Sequence, residues 1–367
     1  MDQFQLDLPT FWFFVLAFFW VGYFVLEGFD FGVGMLLGVI ARDNTDRRVL
    51  INTIGPHWDG NEVWLVVAGA GTFAAFPLWY ATLFSSYFLP LLVIVIALVV
   101  RAVAFEYRGK HSSARWTANW DRAIMVCSLL PALLWGVALS GMLNGIPIDG
   151  DQQFAGNLLD LVQPYTLLGG LTTLSLCLLN GSVFLGMKTE DDLRERARTT
   201  SMRLAPVVVL LVTAFTAWTA WGVEGEIIPN LLMLVAVSGA IGAMVLTTGR
   251  QDEGWTFLVL ALTIACLIGS LFVQLYPNVM VSTLGAARSI TVEGAASGTY
   301  TLTIMTIVAV LILPVILAYQ AVSYYVFRAR VGRAQFEGVA QAISAVADKI
   351  GITEDDPPQS KVDSPRE

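Results

Sequence analysis

Glu27 and Asp30 stand three residues apart inside a long apolar run, and Asp59 and Glu62 repeat that spacing in the next run. Such spacing puts both members of each pair on one helical face. Counted back from Ala41 at about 1.5 Å per residue, Asp30 lies roughly 16 Å and Glu27 roughly 21 Å inside the run, too deep for either to reach an interface. An ionised carboxylate at mid-membrane costs about 2.5–3.5 kcal/mol on insertion scales, so four left uncompensated would cost on the order of 10 kcal/mol. They must be protonated, paired or hydrated. Buried Asp and Glu joined by water at short intervals are what proton movement through a membrane needs, so the four read as a proton inlet.

The elements that must position them are membrane spans. Of 367 residues, 56% are apolar and 14% charged, and the mean hydropathy is positive, which excludes an ordinary soluble domain. Apolar runs near residues 10–41, 50–76, 79–103, 120–143, 162–187, 204–222, 229–249, 255–276 and 301–327 predict an all-α integral membrane protein of nine spans. The first run is too long for a signal-peptide core and lacks a small-residue cleavage site, so it is expected to remain as a helix. Of 21 Lys and Arg, all but Arg288 fall on or within a turn of one side, while Asp149, Asp151, Asp160, Glu224 and Glu226 lie on the other. The positive-inside rule then sets the amino terminus outside and the carboxyl terminus in the cytoplasm. The net charge of −8 gives no footing for nucleic acid.

Two starts for the second span are open. If it begins at Pro56, Asp59 and Glu62 occupy its first turns, where carboxylates favour the positive helix end. If it begins near Thr45, Pro56 is a kink and Asp59 lies well inside; the apolar pattern from Val49 favours this second reading. Gly55, Val66 and Gly69 complete the acidic stripe, and small residues there admit a neighbouring helix. By depth, Arg101 near the end of the third span and Asp121 at the start of the fourth are expected to join Asp30 in a polar cluster.

Haem iron needs axial His, Met, Cys or Tyr, and His57 and His111 are the two histidines, which leaves room for one conventional haem at most. His57, beside Trp58 and Asp59, reads better as a polar member of the cluster than as a ligand. Cys127, Cys177 and Cys266 each stand alone in apolar runs and read as core. No P-loop or dinucleotide fingerprint is present. Trp12, Trp20, Trp79, Tyr80, Trp218, Trp221, Tyr276, Tyr324 and Tyr325 read mainly as an interfacial belt, a minority lining a slot for quinone or lipid. Residues 1–328 form the membrane domain and 329–367 a cytoplasmic tail, with helical spacing from Phe336 to Ile350 and a disordered acidic stretch from Glu354. Gly28-Phe29-Asp30-Phe31 is faintly echoed by Gly181-Ser182-Val183-Phe184, a hint of duplication.

The segments Leu26-Glu27-Gly28-Phe29-Asp30-Phe31-Gly32-Val33-Gly34-Met35 and Gly55-Pro56-His57-Trp58-Asp59-Gly60-Asn61-Glu62-Val63-Trp64-Leu65 closely resemble subunit 2 of the cytochrome bd quinol oxidases. The resemblance continues through Ala74-Ala75-Phe76-Pro77, Leu133-Leu134-Trp135-Gly136, Tyr165-Thr166-Leu167-Leu168-Gly169-Gly170 and Leu275-Tyr276-Pro277-Asn278. It implies a heterodimer in the bacterial cytoplasmic membrane, with haems b and d in the partner, subunit 1, which oxidises quinol and reduces dioxygen to water. This chain would bind no haem, with a structural quinone or lipid as an option, and small single-helix accessory subunits are further expected partners. The implied fold is two four-helix bundles plus a peripheral ninth helix. The resemblance also makes Asp59 the proton-path residue, with Asp30 and Arg101 in support, and leaves Glu62 less certain because some relatives carry Gln there. From the residues alone, an ion-coupled secondary transporter and a purely structural scaffold are the rival readings.

Overall fold

The computed structural model describes residues 7–222, 227–250 and 252–336. The chain runs through α1 (Leu8–Ile40), α2 (Asn44–Ile54), α3 (Trp58–Ala75), α4 (Pro77–Ser86), α5 (Phe88–Tyr107), α6 (Ala114–Asn144), α7 (Leu158–Leu161), α8 (Pro164–Lys188), α9 (Asp191–Gly222), α10 (Ile227–Val245), α11 (Glu253–Leu275), α12 (Val292–Ala295) and α13 (Thr299–Val326). A small antiparallel pair, β1 (Asn278–Met280) and β2 (Ile290–Thr291), lies between α11 and α12. Helix ends follow local chemistry: Asp7, Asp43 and Asp252 accept backbone N–H groups at the starts of α1, α2 and α11, and Pro77 and Pro164 sit in the first turns of α4 and α8.

Among the described residues, eight helices are long and apolar enough to cross a membrane: α1, α5, α6, α8, α9, α10 with the π-helical turn after it, α11 and α13. The second expected span is not one kinked helix. Gly55-Pro56-His57 separates α2 from α3 and places Asp59 in the first turn of α3, so the reading favoured from the apolar pattern is corrected. Pro56 has no N–H to continue the ladder, and the turn closes instead through His57 N–H donating to the Ile54 carbonyl at 2.8 Å. The polar opening Trp58-Asp59-Gly60-Asn61-Glu62 also lowers the hydropathy of α3. The third expected span likewise divides at Tyr87, four residues after Leu83 and three before Pro90, whose ring opposes the Ser86 carbonyl.

Helix α1 is the centre of the molecule, packing against α3, α6, α8 and α11. It crosses α8 where Gly32 and Gly181 face one another: a Cβ on either would fall into the other's backbone. Just beside that crossing, Phe29 stacks on Phe184 at 4.2 Å and 23°, so the two echoed segments meet in space. Among the described residues helix α13 packs mainly on α1 and α3 and is otherwise largely exposed. Trp12 ties it to α1 by donating its indole N–H to the Leu302 carbonyl at 3.1 Å and Thr306 Oγ1 at 2.9 Å. Trp12, Trp20 and Trp79 are therefore core rather than belt, whereas Trp218, Trp221 and Tyr325 are exposed as a belt requires. Cys127, Cys177 and Cys266 are buried.

Gly181→Leu should destabilise the folded chain by about 3 kcal/mol through overpacking against Gly32, read as a lowered unfolding temperature in detergent. Gly109→Ala, where an added Cβ meets nothing within 4 Å, is the control and should leave that temperature unchanged.

Candidate functional site

Glu27 and Asp30 project from the middle of α1, and both are fully buried. Opposite them, α5 brings in Arg101, which is also fully buried and whose Nη1 donates to Glu27 Oε1 as an ion pair. The guanidinium lies over the rings of Phe31 at 4.8 Å and Phe105 at 5.3 Å, aromatic faces that favour a cation where water is excluded. Glu62, one turn into α3, reaches to 4.0 Å of Arg101 Nη1. Asn61 fills the remaining side: its Nδ2 donates to Asp30 Oδ2 at 2.7 Å and to the Leu26 carbonyl at 3.2 Å. From α13, Gln320 Nε2 and the Tyr324 hydroxyl donate to Asn61 Oδ1 at 2.8 and 3.0 Å. His57 is buried with its ring flat on Tyr324, 4.3 Å away at 7°, and Trp58 rests against Phe105 at 5.2 Å.

Glu27, Asp30, Glu62 and Arg101 thus meet as one cluster. Asp59 does not reach it; one turn before Glu62 on α3, it is exposed. Exposure falls inward from there, since the Glu62 side chain is 19% exposed and those of Glu27 and Arg101 are 0% exposed. Asp121 is not part of the cluster, which corrects the expectation from depth. It is held by Arg108 Nε at 2.5 Å and Arg47 Nη1 at 3.4 Å, and Asn44 accepts from Arg108 Nη2 at 2.7 Å. Depth along the membrane does not give the direction a side chain takes around its helix axis, and Arg108 lies two turns nearer the end of α5. Tyr324, expected in the interfacial belt, instead joins Asn61 and Gln320 beside the cluster; an amide inside a span is a weaker signal than a charge, though it hydrogen-bonds across helices in the same way.

The fold and the cluster define a polytopic helical membrane protein with an internal carboxylate–guanidinium site approached along one face of a broken helix. Residues 8–327 match the family model described as cytochrome bd terminal oxidase subunit II. The chain is 40% identical over 330 residues to cytochrome bd ubiquinol oxidase subunit 2 of Bacillus subtilis (strain 168), covering 89% of this chain and 97% of that one. It is 32% identical over 362 residues to cytochrome bd-I ubiquinol oxidase subunit 2 of Escherichia coli (strain K12), covering 89% and 96%. In fold it resembles a chain of the bd oxidase structure from Geobacillus thermodenitrificans, with a TM-score of 0.68 at 17% identity over 87% of this chain and 99% of that one. The chain belongs to the cytochrome bd terminal oxidase subunit II family. It is therefore a subunit of a bacterial membrane oxidoreductase complex, and membership does not favour the ion-coupled transporter reading.

At the end of the molecule that carries the basic loops, the chain after α13 folds back. The Lys188 ammonium donates to the Phe327 carbonyl, Val331 N–H donates to the Lys188 carbonyl at 2.8 Å, and Arg333 reaches Asp43 at 2.8 Å and Asp46 at 2.5 Å. Arg196 joins from α9 at 2.9 Å from Asp46. The expected amphipathic helix and acidic tail beyond residue 336 lie outside the described residues. The backbone N–H of Asp46 and the Arg333 guanidinium hold the Asp43 carboxyl below its ordinary range. Burial pushes Asp46 up, but the Arg42 N–H with Arg196 and Arg333 outweighs it, and the net shift is also downward. A carboxylate depressed in the folded state contributes stability that is fully present above its unfolded value and lost as pH falls through the folded one. The stability difference between the wild type and Arg333→Ala should hold constant above about pH 5 and close below about pH 4, followed by thermal unfolding across that range. A difference that persists unchanged at lower pH would refute the strap's electrostatic origin.

Proposed function

We propose that this chain is the haem-free subunit 2 of a quinol-oxidising, dioxygen-reducing complex, in which Asp59, Glu62, Glu27 and Asp30 take up protons from the cytoplasm and pass them toward the partner subunit. The observation that carries this reading is the gradient along α3 and α1: an exposed Asp59, a partly buried Glu62 one turn on, and the wholly buried Glu27 and Asp30 beyond it. Arg101 keeps charge inside the cluster without occupying every oxygen, since Glu27 Oε2 and Asp30 Oδ1 have no hydrogen-bond partner among the described residues. Those two oxygens are the ones that Arg101 and Asn61 leave open to take and release a proton. With one guanidinium among three carboxyl groups, the low-cost state of the cluster holds protons as well as charge.

In this reading α3 is the further membrane crossing, giving nine, with the amino terminus outside and the strapped end in the cytoplasm. The packing of α5 on α6 and α3 on α1, and of α8 on α9 and α10 on α11, supports two four-helix bundles, with α13 peripheral. The haems b and d of the partner subunit would supply the electron transfer and oxygen chemistry. That placement is supported by the donor set: His57 lies face to face with Tyr324 at 4.3 Å, and His111 accepts from Ser113 N–H in an exposed loop. Quinol is the reductant; a structural quinone or lipid in this chain and single-helix accessory subunits complete the proposed assembly.

Asp59→Asn should slow oxygen reduction by about tenfold or more while assembly and haem content stay unchanged. Loss of haem would instead make Asp59 structural. Reduced-minus-oxidised spectra of the tagged chain should show haem bands only when its partner is co-purified, and bands from the chain alone would overturn the assignment.

A further inference from the structure

Asn61 has all four of its side-chain hydrogen-bonding positions filled. Two donors from α13, Gln320 Nε2 and the Tyr324 hydroxyl, meet Oδ1, and both Nδ2 hydrogens are taken by acceptors on α1, the Leu26 carbonyl and Asp30 Oδ2. A backbone carbonyl can only accept, so Nδ2 must face α1, and a rotated amide would set Oδ1 against that carbonyl. Asn61 is fully buried, so no solvent replaces a lost partner. The Asp30 carboxyl is thereby held at Oδ2, and its other oxygen, buried and without a hydrogen-bond partner among the described residues, is the one left for chemistry.

The same geometry limits what α13 contributes. A hydroxyl that donates to an amide oxygen cannot send its proton on to a carboxylate beyond the amide nitrogen unless the amide passes through its imidic-acid form. The link from Tyr324 to Asp30 is consequently a bracket and not a wire. Among the described residues helix α13 packs mainly on α1 and α3, and this bracket is a polar attachment at the level of the cluster.

We propose that Asn61, anchored by Gln320 and Tyr324, is a positioning residue that orients the Asp30 carboxyl for proton transfer and insulates it from the Tyr324 hydroxyl. The proposal rests on the proton-path reading above. Its test is a double-mutant cycle in the assembled complex, read as quinol-driven oxygen uptake, with Asp30→Asn, Asn61→Leu and the two combined. Asn61→Leu should slow turnover about tenfold, and adding it to Asp30→Asn should cost nothing further, because it acts through a group already lost. Should Asn61→Leu not assemble, the pair Gln320→Leu/Tyr324→Phe replaces it in the cycle, with an expected loss of about threefold. A merely structural Asn61 would lower stability and multiply with Asp30→Asn. If Asp30→Asn is slow but Asn61→Leu is not, or if the losses multiply, the positioning role is wrong while the proton path stands. If Asp30→Asn runs at wild-type speed, the proton path itself is wrong.

Discussion

A guanidinium sealed inside a membrane protein is tolerable only with a carboxylate against it, and the pairing of Arg101 with Glu27 is the constraint on which this fold turns. Removing one partner of such a pair is costly because the other charge is left buried and uncompensated. The pair therefore ties α5, which packs on α6, to α1. It explains the aromatic lining, since Phe31 and Phe105 offer their faces to the cation where water is excluded. It also explains why Glu62 and Asp30 can gather close by at acceptable cost.

Helix α1 presents different residues to different neighbours. Glycines dominate where α8 crosses it, and the backbones approach so closely that no polar side chain fits between them. Carboxylates dominate where α3 and α5 meet it. Breaking the helix before α3 matters for the same reason. A continuous helix through residues 50–76 would have carried Asp59 inward, whereas the turn at Gly55-Pro56-His57 leaves it at the surface and directs the face bearing Asn61 and Glu62 toward α1. The result is a descent from an exposed acid to buried ones within two helical turns, which a proton can follow only if the last oxygens are not all engaged.

Much of this could be read from residue order. The apolar runs give most of the helices, the depth of Glu27 and Asp30 follows from counting, and depth also sets Arg101 near Asp30, although its ion pair is with Glu27. What escaped has physical causes. The apolar pattern from Val49 favours Pro56 as a kink where it is a stop, because hydropathy does not report whether the turn after it continues. Asp121 was assigned by depth, but Arg108 captures it from a position that differs from Arg101 in rotation as well as height. The amide bracket joins Asn61 to residues 259 and 263 positions away, contacts that no local pattern encodes.

Whether the buried charges serve proton movement or only architecture is decided most directly by oxygen uptake in a complex carrying Arg101→Met together with Glu27→Gln. Deleting both charges at once leaves neither uncompensated, so this complex should assemble. If the charges belong to the proton path, it should carry its full haem complement and turn over about tenfold or more below wild type. An assembled complex running at wild-type speed would contradict that role and leave the pair as structure alone.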